Sequence, residues 1–171
     1  EVVRVLLVSA NRERLPSPVV PLGLLSVAAA VRDAHEVAVA DLCFSEDPAG
    51  DLARAVQGFA PEVVGLGLRN LHTNAYDSME PLLEEYAALV RVVRAQGRAK
   101  VVLGGSGYSL RPEGLLARLG ADHGVVGEGE LSFRALLAAL EREARPQPIW
   151  RSAAARATLQ PTPLLRKAAM P

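Results

Sequence analysis

Two glycine-rich turns, each directly after a short apolar run, are the part of this chain best suited to chemistry. The first is Lys100-Val-Val-Leu-Gly-Gly-Ser-Gly107, and the second is Ala121-Asp-His-Gly-Val-Val-Gly-Glu-Gly-Glu130. The apolar runs, Val101–Leu103 and Gly124–Val126, are typical of buried parallel strands, and open α/β sheets bind ligands where such strands end. Glycine lets the backbone approach a bulky partner because it has no Cβ. Two such turns side by side predict a large flat ligand across the carboxyl edge of a sheet.

Composition narrows the class of protein. The chain has 171 residues, of which 50% are hydrophobic and only 4% aromatic, so Val, Leu and Ala must supply the core. Nineteen basic residues balance nineteen acidic ones, so the chain lacks the excess of positive charge that is typical of nucleic-acid-binding proteins. The single cysteine, Cys43, excludes an internal disulfide and any multi-cysteine metal site. Because no apolar run reaches the roughly 20 residues that span a bilayer, and the start lacks the basic flank of a signal peptide, we expect no membrane contact and a cytoplasmic location.

Apolar runs alternate with helical patterns along the chain, which predicts repeated βα units. The predicted strands are Val2–Ser9, Glu36–Asp41, Val63–Leu68, Lys100–Leu103 and Gly124–Val126. The predicted helices are Leu22–Asp33, Asp47–Phe59, Met79–Gln96, Pro112–Leu119 and Glu130–Glu143. They indicate an α/β fold: a doubly wound, flavodoxin- or Rossmann-like sheet of five parallel strands with helices on both faces. The first helix is apolar on most faces and is therefore expected to be well buried.

The amino-acid composition changes near Arg145, and this change indicates the domain organisation. Residues 1–145 are predicted to form one domain. Residues 146–171 are rich in proline and alanine with little periodicity, so we interpret them as a linker or tail. This predicts either a fragment of a longer enzyme or a carrier that docks onto a partner.

Several common ligand sites of α/β sheets are disfavoured by the residues at the strand ends. The segment Ser9–Leu15 contains no glycine, whereas a dinucleotide site needs Gly-x-Gly-x-x-Gly after the first strand. A P-loop lysine is missing. Gly67-Leu68-Arg69 stands where a phosphate-accepting receiver domain would place aspartate. Gly105-Ser-Gly107 lacks the spacing of a nucleophile elbow, and no supporting histidine and acid are evident.

Four segments in the right order resemble those of the cobalamin (B12)-binding domain, in particular the one at the N-terminus of class B, B12-dependent radical SAM enzymes. The resemblance covers about residues 2–143. It rests on Pro21-Leu-Gly-Leu-Leu25, Pro61-Glu-Val-Val-Gly-Leu-Gly-Leu-Arg-Asn70, Val101-Val-Leu-Gly-Gly-Ser-Gly107 and Gly120-Ala-Asp-His-Gly-Val-Val-Gly-Glu-Gly-Glu130. Each lies at the carboxyl end of a predicted strand or at the start of a helix.

The resemblance implies where cobalamin is held: the corrin over the carboxyl edge of the sheet, and the nucleotide tail in a slot beside the central strands. Gly104 and Gly105 are implied to line the slot, with Ser106 and Gly107 at its mouth. On the other side of the tail the implied residues are Gly127, Glu128 and Gly129. Those implied to face the corrin or approach its edge are Gly67, Arg69, Asn70, Asn11 and Arg12. A corrin carries many neutral amides, which suit backbone groups, Asn and Ser better than fixed charges.

One departure from many cobalamin domains concerns the cobalt. Their Asp-x-His-x-x-Gly motif, whose histidine binds cobalt from below, is absent, because residues 10–20 contain no histidine. The radical SAM branch commonly lacks this histidine as well. Weak lower ligation suits methyl transfer, which is an implication of the family and not of spacing. His72, after the third strand, is the one alternative cobalt ligand, although a solvent-facing loop position is the more ordinary interpretation.

Three functions stay open at this stage. The first is a B12 module of a radical SAM methyltransferase or related enzyme. S-adenosylmethionine and the [4Fe-4S] cluster would then lie on a missing domain or partner subunit, since such a cluster needs Cys-x-x-x-Cys-x-x-Cys and only Cys43 is present. The second is a non-catalytic interaction module that kept the fold but lost the vitamin. The third, a small α/β enzyme with another nucleotide-like ligand, is disfavoured because no nucleophile–base pair can be assembled.

The glycines and charges also have purely structural interpretations. Tight strand-to-helix turns need glycine without any ligand. Glu128 and Glu130 suit the positive end of a helix dipole, and Arg69 could simply pair with a carboxylate. The concentration of glycine on two neighbouring strands favours binding.

Overall fold

All five strands of the sheet are parallel, in the order β2-β1-β3-β4-β5. This is a computed structural model, and it describes residues 2–71 and 80–144. The strands are β1 (Arg4–Ser9), β2 (Glu36–Asp41), β3 (Val63–Gly67), β4 (Lys100–Gly104) and β5 (His123–Gly124). The described helices are α1 (Leu22–Val31), α2 (Pro48–Phe59), α3 (Glu80–Gln96), α4 (Ser106–Leu110), α5 (Pro112–Leu119) and α6 (Gly129–Ala144). The predicted doubly wound fold is confirmed.

The strand order reverses between β1 and β3, which places a crevice at their carboxyl ends. The register sets Ser9 opposite Gly67, and Gly67 opposite Gly104 on the next strand. Since paired residues of parallel strands face the same side, these three residues form one row across the sheet. The crevice therefore begins over a row that carries hardly any side-chain bulk.

Alternating strand residues build a core on each face of the sheet. One core contains Leu6, Val64, Leu66 and Leu103 and packs against α2, α3 and α5. The smaller core contains Val5, Leu7, Val63 and Val102 and packs against α1 and α6. Burial of these chains stabilises the fold by about 25 cal/mol for each Å² of apolar surface removed from water. The two cores differ in size because glycine replaces large side chains in β3 and β4 on the α1/α6 face.

Local signals set the ends of several helices, as predicted. The Asp47 carboxylate accepts a hydrogen bond of 2.9 Å from the Gly50 N–H and caps α2, whose first residue is Pro48. Helix α5 ends at Gly120, which adopts a left-handed conformation with φ of 67°. These short-range devices need no tertiary contact, and sequence reasoning finds them for that reason.

Helix α1 differs from the prediction of a well-buried helix. Only Val31 is buried, whereas the Leu22 side chain is 69% exposed. Leu24 and Val27 pack against the smaller core. The helix lies over glycine and not over bulky strand side chains, and no described element covers its outer face. Helix α1 is therefore apolar on most faces although part of its apolar surface is exposed.

Two further elements differ from the sequence-based prediction. Helix α4 was not predicted, because Ser-Gly-Tyr-Ser-Leu has little helical propensity. It forms where buried Tyr108 fills the space beside Gly124, and the Gly107 N–H donates a 2.9 Å bond to the Leu68 carbonyl. Strand β5 ends two residues earlier than predicted. His72, Met79 and the predicted linker or tail at 146–171 lie outside the described residues. None of the described helices is long and apolar enough to cross a membrane.

Candidate functional site

A cavity of about 480 Å³ opens between the carboxyl half of the sheet and helices α1 and α6. Its floor is the row Ser9, Gly67 and Gly104 from β1, β3 and β4. The next row inward is Leu7, Gly65 and Val102. The site therefore spans the point where the strand order reverses, which is where sheets of this type bind ligands.

Three strand glycines make room for this cavity. A Cβ on Gly104 would meet only the Val125 carbonyl oxygen, at 3.9 Å, so the space above it is open. At Gly67 a Cβ would lie 3.1 Å from Cδ1 of Leu24. One on Gly65 would lie 2.7 Å from Cδ2 of Leu7, with the Phe133 ring next nearest at 3.8 Å. Larger residues at these positions would fill the cavity or push α1 away from the sheet.

Gly105 of the first glycine turn and Gly127 of the second have different structural roles. Gly105 has φ of 95° and packs so closely on the preceding strand end that its Cβ would lie 2.6 Å from the Leu68 carbonyl oxygen. Gly127, with φ of 77°, has no neighbour within 4 Å of a Cβ position. Gly105 therefore closes a tight backbone crossing, whereas Gly127 leaves open space at the cavity wall.

Ser109 joins the two turns. Its hydroxyl donates to the Gly105 carbonyl at 3.0 Å and accepts from the Gly127 N–H at 2.9 Å. Both glycines line the cavity. The side chain thus fixes the separation of the β4–α4 turn from the β5–α6 turn. Sequence reasoning missed this residue, because the bridge spans 18 positions of the chain.

A small polar network forms the β1 side of the site. Asn11 is 6% exposed, and its side-chain oxygen accepts from the Asn70 amide at 3.3 Å and from the Glu13 N–H at 3.4 Å. The Tyr86 hydroxyl donates to the Asn70 carbonyl at 2.8 Å. Burial raises the pKa of Tyr86, which keeps that donor neutral. This network holds the loops after β1 and β3 together.

Most of the sequence-predicted site residues come together around the cavity. Those that line it are Asn11, Gly67, Arg69, Gly104, Gly105, Ser106, Gly127, Glu128 and Gly129. Whether they contact a ligand stays a prediction. His72, the candidate cobalt ligand, lies outside the described residues. Among the described residues no group of three or more His, Cys, Asp or Glu side chains could hold a metal ion.

Three predicted residues do not line the cavity. The Arg12 guanidinium donates to the Ser45 carbonyl at 3.3 Å, which ties it to the loop after β2. Asn70 uses its amide on Asn11. Gly107 is buried against the backbone of Arg69, where a Cβ would lie 3.0 Å from the carbonyl carbon. Each of these three residues contacts the loops or the backbone beside the cavity instead of its interior.

The family-level comparison decides what kind of domain surrounds this cavity. A family model described as a B12 binding domain matches residues 8–137. The chain belongs to the B12-binding domain family.

Two curated relatives of this B12-binding domain are methyltransferases. It is 31% identical over 122 residues to a tryptophan 2-C-methyltransferase of Streptomyces laurentii, which covers 70% of this chain and 20% of that protein. It is 29% identical over 123 residues to an uncharacterized methyltransferase of Pyrococcus horikoshii, covering 71% of this chain and 25% of the relative.

A solved structure gives a similar picture. The radical S-adenosylmethionine methyltransferase TsrM from Kitasatospora setae, with cobalamin and a [4Fe-4S] cluster bound, matches with a TM-score of 0.74 and 30% identity. The match covers 84% of this B12-binding domain chain and 27% of TsrM. The chain thus spans between 20% and 27% of the length of these three relatives.

More distant structures match in fold alone. The cobalamin-dependent radical enzyme OxsB has a TM-score of 0.62 at 18% identity. The receiver domain of RcsB from Salmonella enterica has a TM-score of 0.54 at 12% identity. The second likeness shows that one doubly wound fold serves different sites.

The cavity of this B12-binding domain also uses residues that sequence reasoning missed. All but Val125, which directly follows β5, lie on the strands and helices: Leu7, Ser9, Leu24, Val27, Gly65, Val102, Val125 and Phe133. Gly65 could have been found from the sequence, because it alternates with Gly67 in the strand segment Val63-Val-Gly-Leu-Gly67. Alternation places both glycines on one face of the strand. The helix residues had no comparable signal, because the face of a helix that meets a cavity depends on docking.

Few charged residues line the cavity. Arg69, Glu128 and Glu130 are the charged members of its lining, and all three come from the turns or the first turn of α6. The strand residues of the floor contribute backbone, glycine and the Ser9 hydroxyl. A lining of this kind suits a ligand whose enclosed part is uncharged and flat.

Proposed function

We propose that this chain binds cobalamin in the cavity described above and serves as the cobalamin-carrying part of a radical SAM methyltransferase. The observation that carries the proposal is the row Ser9, Gly67 and Gly104, set in register across three strands at the switch point of a B12-binding domain. A row without bulk on adjacent strands opens a slot that no single turn could make.

The residues of the site fit cobalamin. The glycine row and the walls from α1 and α6 suit the nucleotide tail, and Arg69 and Asn11 at the strand ends suit the amides of the corrin. Ser106, whose hydroxyl donates to the Arg69 carbonyl at 2.9 Å, holds the loop that carries that arginine. When bound, cobalamin supplies a cobalt centre that accepts and hands on a methyl group. The protein's part is to hold the cofactor, exclude water from the tail and leave one face of the corrin accessible.

The chain offers cobalt no imidazole from the loop after β1, because residues 10–20 contain no histidine. Asn11 occupies the buried position there, with its oxygen engaged by Asn70 and the Glu13 N–H. The proposal therefore includes weak ligation of cobalt from below, as the family resemblance implies.

The surface around the cavity supports a role within a larger assembly. Among the described residues, the exposed large hydrophobic side chains other than Val2 and Val39 lie in the loop after a strand or in the first turns of the helix that follows that loop. They are Leu15, Val19, Val20, Leu22, Leu25, Phe44, Leu110, Val126 and Leu131, here called the apolar rim. An apolar rim of this kind marks an interaction surface. Since the match covers only 20–27% of the length of the three relatives, the proposed occupant is the part of such an enzyme that holds S-adenosylmethionine and the [4Fe-4S] cluster.

Cobalamin retention tests the proposal. The purified chain is mixed with hydroxocobalamin, free vitamin is removed by gel filtration, and the absorbance spectrum is recorded. We expect retained corrin bands. The Gly104→Leu variant should lose them while keeping its circular dichroism spectrum, because the new side chain points into open cavity space.

Gly114→Leu is the matched control. It makes the same substitution on α5, where no atom lies within 4 Å of a Cβ position, and Gly114 does not line the cavity. It should retain the corrin bands. A folded, colourless wild-type protein would contradict cobalamin binding and favour the alternative of a non-catalytic interaction module that kept the fold.

A further inference from the structure

Strand β2 forms an open edge of the sheet. Its only neighbour among the described strands is β1, with which it pairs in one continuous register over six residues. Edge strands usually carry a lysine, a proline or a bulge that prevents further pairing. The β2 sequence, Glu-Val-Ala-Val-Ala-Asp, has none of these. Strand β5, at the opposite edge, has only two residues, so β2 is the edge that is suited to accept another strand.

A hydrogen bond at the start of β2 shows which of its backbone groups are unpaired. The Glu36 N–H donates to the Val3 carbonyl at 3.1 Å. Because successive residues of a strand direct their N–H and C=O groups to opposite sides, the even-numbered residues of β2 face β1. The backbone groups of Val37, Val39 and Asp41 therefore face outward, and no described residue pairs with them. The Val39 side chain is also 42% exposed, and it lies outside the apolar rim.

The charges of the chain are divided unevenly between residues 1–144 and the C-terminal segment, residues 145–171. Residues 1–144 carry fourteen basic and nineteen acidic side chains, a net charge of −5. The C-terminal segment carries five basic side chains and no acidic one, a net charge of +5. Strand β2 has an exposed carboxylate at each end: Glu36, which lies 3.6 Å from Arg4, and Asp41, which pairs with no basic side chain of the described residues. Charge complementarity therefore favours contact between the C-terminal segment and this edge.

The C-terminal segment leaves the domain beside the start of β2. Near the end of α6, a carboxylate oxygen of Glu141 lies 3.8 Å from Nδ1 of His35. His35 directly precedes β2, and α6 ends at Ala144, three residues after Glu141. The segment therefore begins within roughly one helical turn of the open edge.

The handedness of the fold assigns a further parallel strand to the same edge. Helix α1, which connects β1 to β2, lies on the same face of the sheet as α6. Crossovers between parallel strands are right-handed in nearly all proteins. A parallel strand that follows α6 must therefore lie on the β2 side of β5, and the first open position on that side is the edge of β2.

We propose that the C-terminal segment binds to the edge of β2 as an added parallel strand. We assign residues 149–154 to the edge, because they begin with Ile149 and Trp150, which favour extended structure, and contain no proline. The outward backbone groups of β2 gain partners in this way. The segment then leaves the edge beside Asp41, at the carboxyl side of the sheet where the cavity opens. This inference goes beyond the proposed function and does not depend on cobalamin binding.

Amide hydrogen exchange of the 171-residue chain tests the proposal, measured by NMR in the absence of cobalamin. At an open edge the amides of Val37, Val39 and Asp41 exchange freely, whereas those of Ala38 and Ala40 are protected by β1. We expect all five amides to be protected in the wild type. We also expect the protection to be independent of protein concentration, because the added strand belongs to the same chain.

Proline substitutions in the C-terminal segment identify the occupant of the edge. The double variant Ser152→Pro and Ala153→Pro removes two consecutive N–H groups, one of which faces β2 in either register. We expect exchange at the three outward amides to become about tenfold faster or more, while the inward amides keep their rates. The matched control is the double variant Ala168→Pro and Ala169→Pro, which changes the segment outside residues 149–154 and should exchange as the wild type does.

Three results would overturn the proposal. Free exchange of the outward amides in the wild type would show that the edge is open. Protection that is lost on dilution would assign the edge to a second copy of the chain. Protection that survives the Ser152→Pro and Ala153→Pro substitutions would show that residues 149–154 do not cover the edge. None of these results bears on cobalamin binding, which the retention of corrin bands tests separately.

Discussion

At the scale of single residues, glycines that look alike in the sequence serve different purposes. Gly104 leaves open space in the cavity, whereas Gly105, its neighbour, is required by the backbone. The reason is conformational: Gly105 has φ of 95° and lies against the Leu68 carbonyl, and an L-amino acid would be strained there on both counts. A bulky residue at position 105 would therefore report on folding before it reported on binding.

The strain at Gly105 predicts a loss of stability. Gly105→Ala should lower the free energy of unfolding by about 1–3 kcal/mol, because alanine must adopt a left-handed conformation against the Leu68 carbonyl oxygen. Urea denaturation followed by circular dichroism measures the effect. Gly97→Ala is the control, since its Cβ position has no neighbour within 4 Å and its φ is ordinary. Equal stabilities of the two variants would contradict the structural role of Gly105.

At the scale of elements, the width of the cavity depends on how two turns are held together. Ser109, on α4, bridges the carbonyl of Gly105 and the N–H of Gly127. On the opposite side, α1 meets α6 so closely that a Cβ on Gly129 would lie 2.7 Å from Cγ2 of Val27. One side-chain bridge and one close helix crossing thus set the shape of the site.

Loss of the Ser109 bridge should affect retention of cobalamin more than folding. Ser109→Ala is expected to release cobalamin several-fold faster, because the β5–α6 turn is no longer tied to the β4–α4 turn. The free energy of unfolding should fall by only about 0.5–1.5 kcal/mol, since water can replace the two neutral hydrogen bonds of the Ser109 hydroxyl at this exposed turn. Displacement of bound cobalamin, followed by absorbance, measures the rate.

Two further variants interpret that result. Ser109→Thr keeps the hydroxyl and should restore slow release. Ser132→Ala removes an exposed serine from α6 that does not line the cavity, and it should behave as wild type. An unchanged release rate in Ser109→Ala would show that the bridge does not shape the binding site.

At the scale of the whole molecule, apolar surface is distributed unevenly. The apolar rim surrounds the carboxyl edge of the sheet, where the cavity opens. Helix α1 contributes Leu22 and Leu25 to it, which explains why an apolar helix is so little buried. In the isolated chain this surface faces water, and contact with another protein surface would lower its free energy.

Self-association of the isolated chain should therefore depend on the apolar rim. The double variant Leu110→Gln and Leu131→Gln removes two rim side chains that are 74% and 79% exposed and do not line the cavity. We expect it to remain monomeric at higher concentrations than the wild type in sedimentation velocity. Val2→Gln, a substitution of an exposed apolar residue outside the rim, should leave association unchanged. If the double variant associates as strongly as the wild type, the apolar rim does not mediate self-association.

The sequence by itself determined the elements that local chemistry controls. The apolar runs located β2 at its observed bounds, and Asp47 with Pro48 located the start of α2. The glycines after the fourth and fifth strands located the edge of the sheet where the cavity lies, since turns of this kind have a short-range signature. The order of four such segments also sufficed for the family, which the match over residues 8–137 confirms.

Only the tertiary structure decided how the site is built. The row Ser9, Gly67 and Gly104 exists because three strands, far apart in sequence, pair in one register, and no local pattern encodes that register. Arg12 is drawn away from the cavity by the Ser45 carbonyl, a contact between two loops. Propensity predicts which residues form a strand or helix, but the pairing of strands and the docking of helices depend on contacts between distant residues. For that reason the turns beside the cavity were found from the sequence, and the lining that the strands and helices contribute was not.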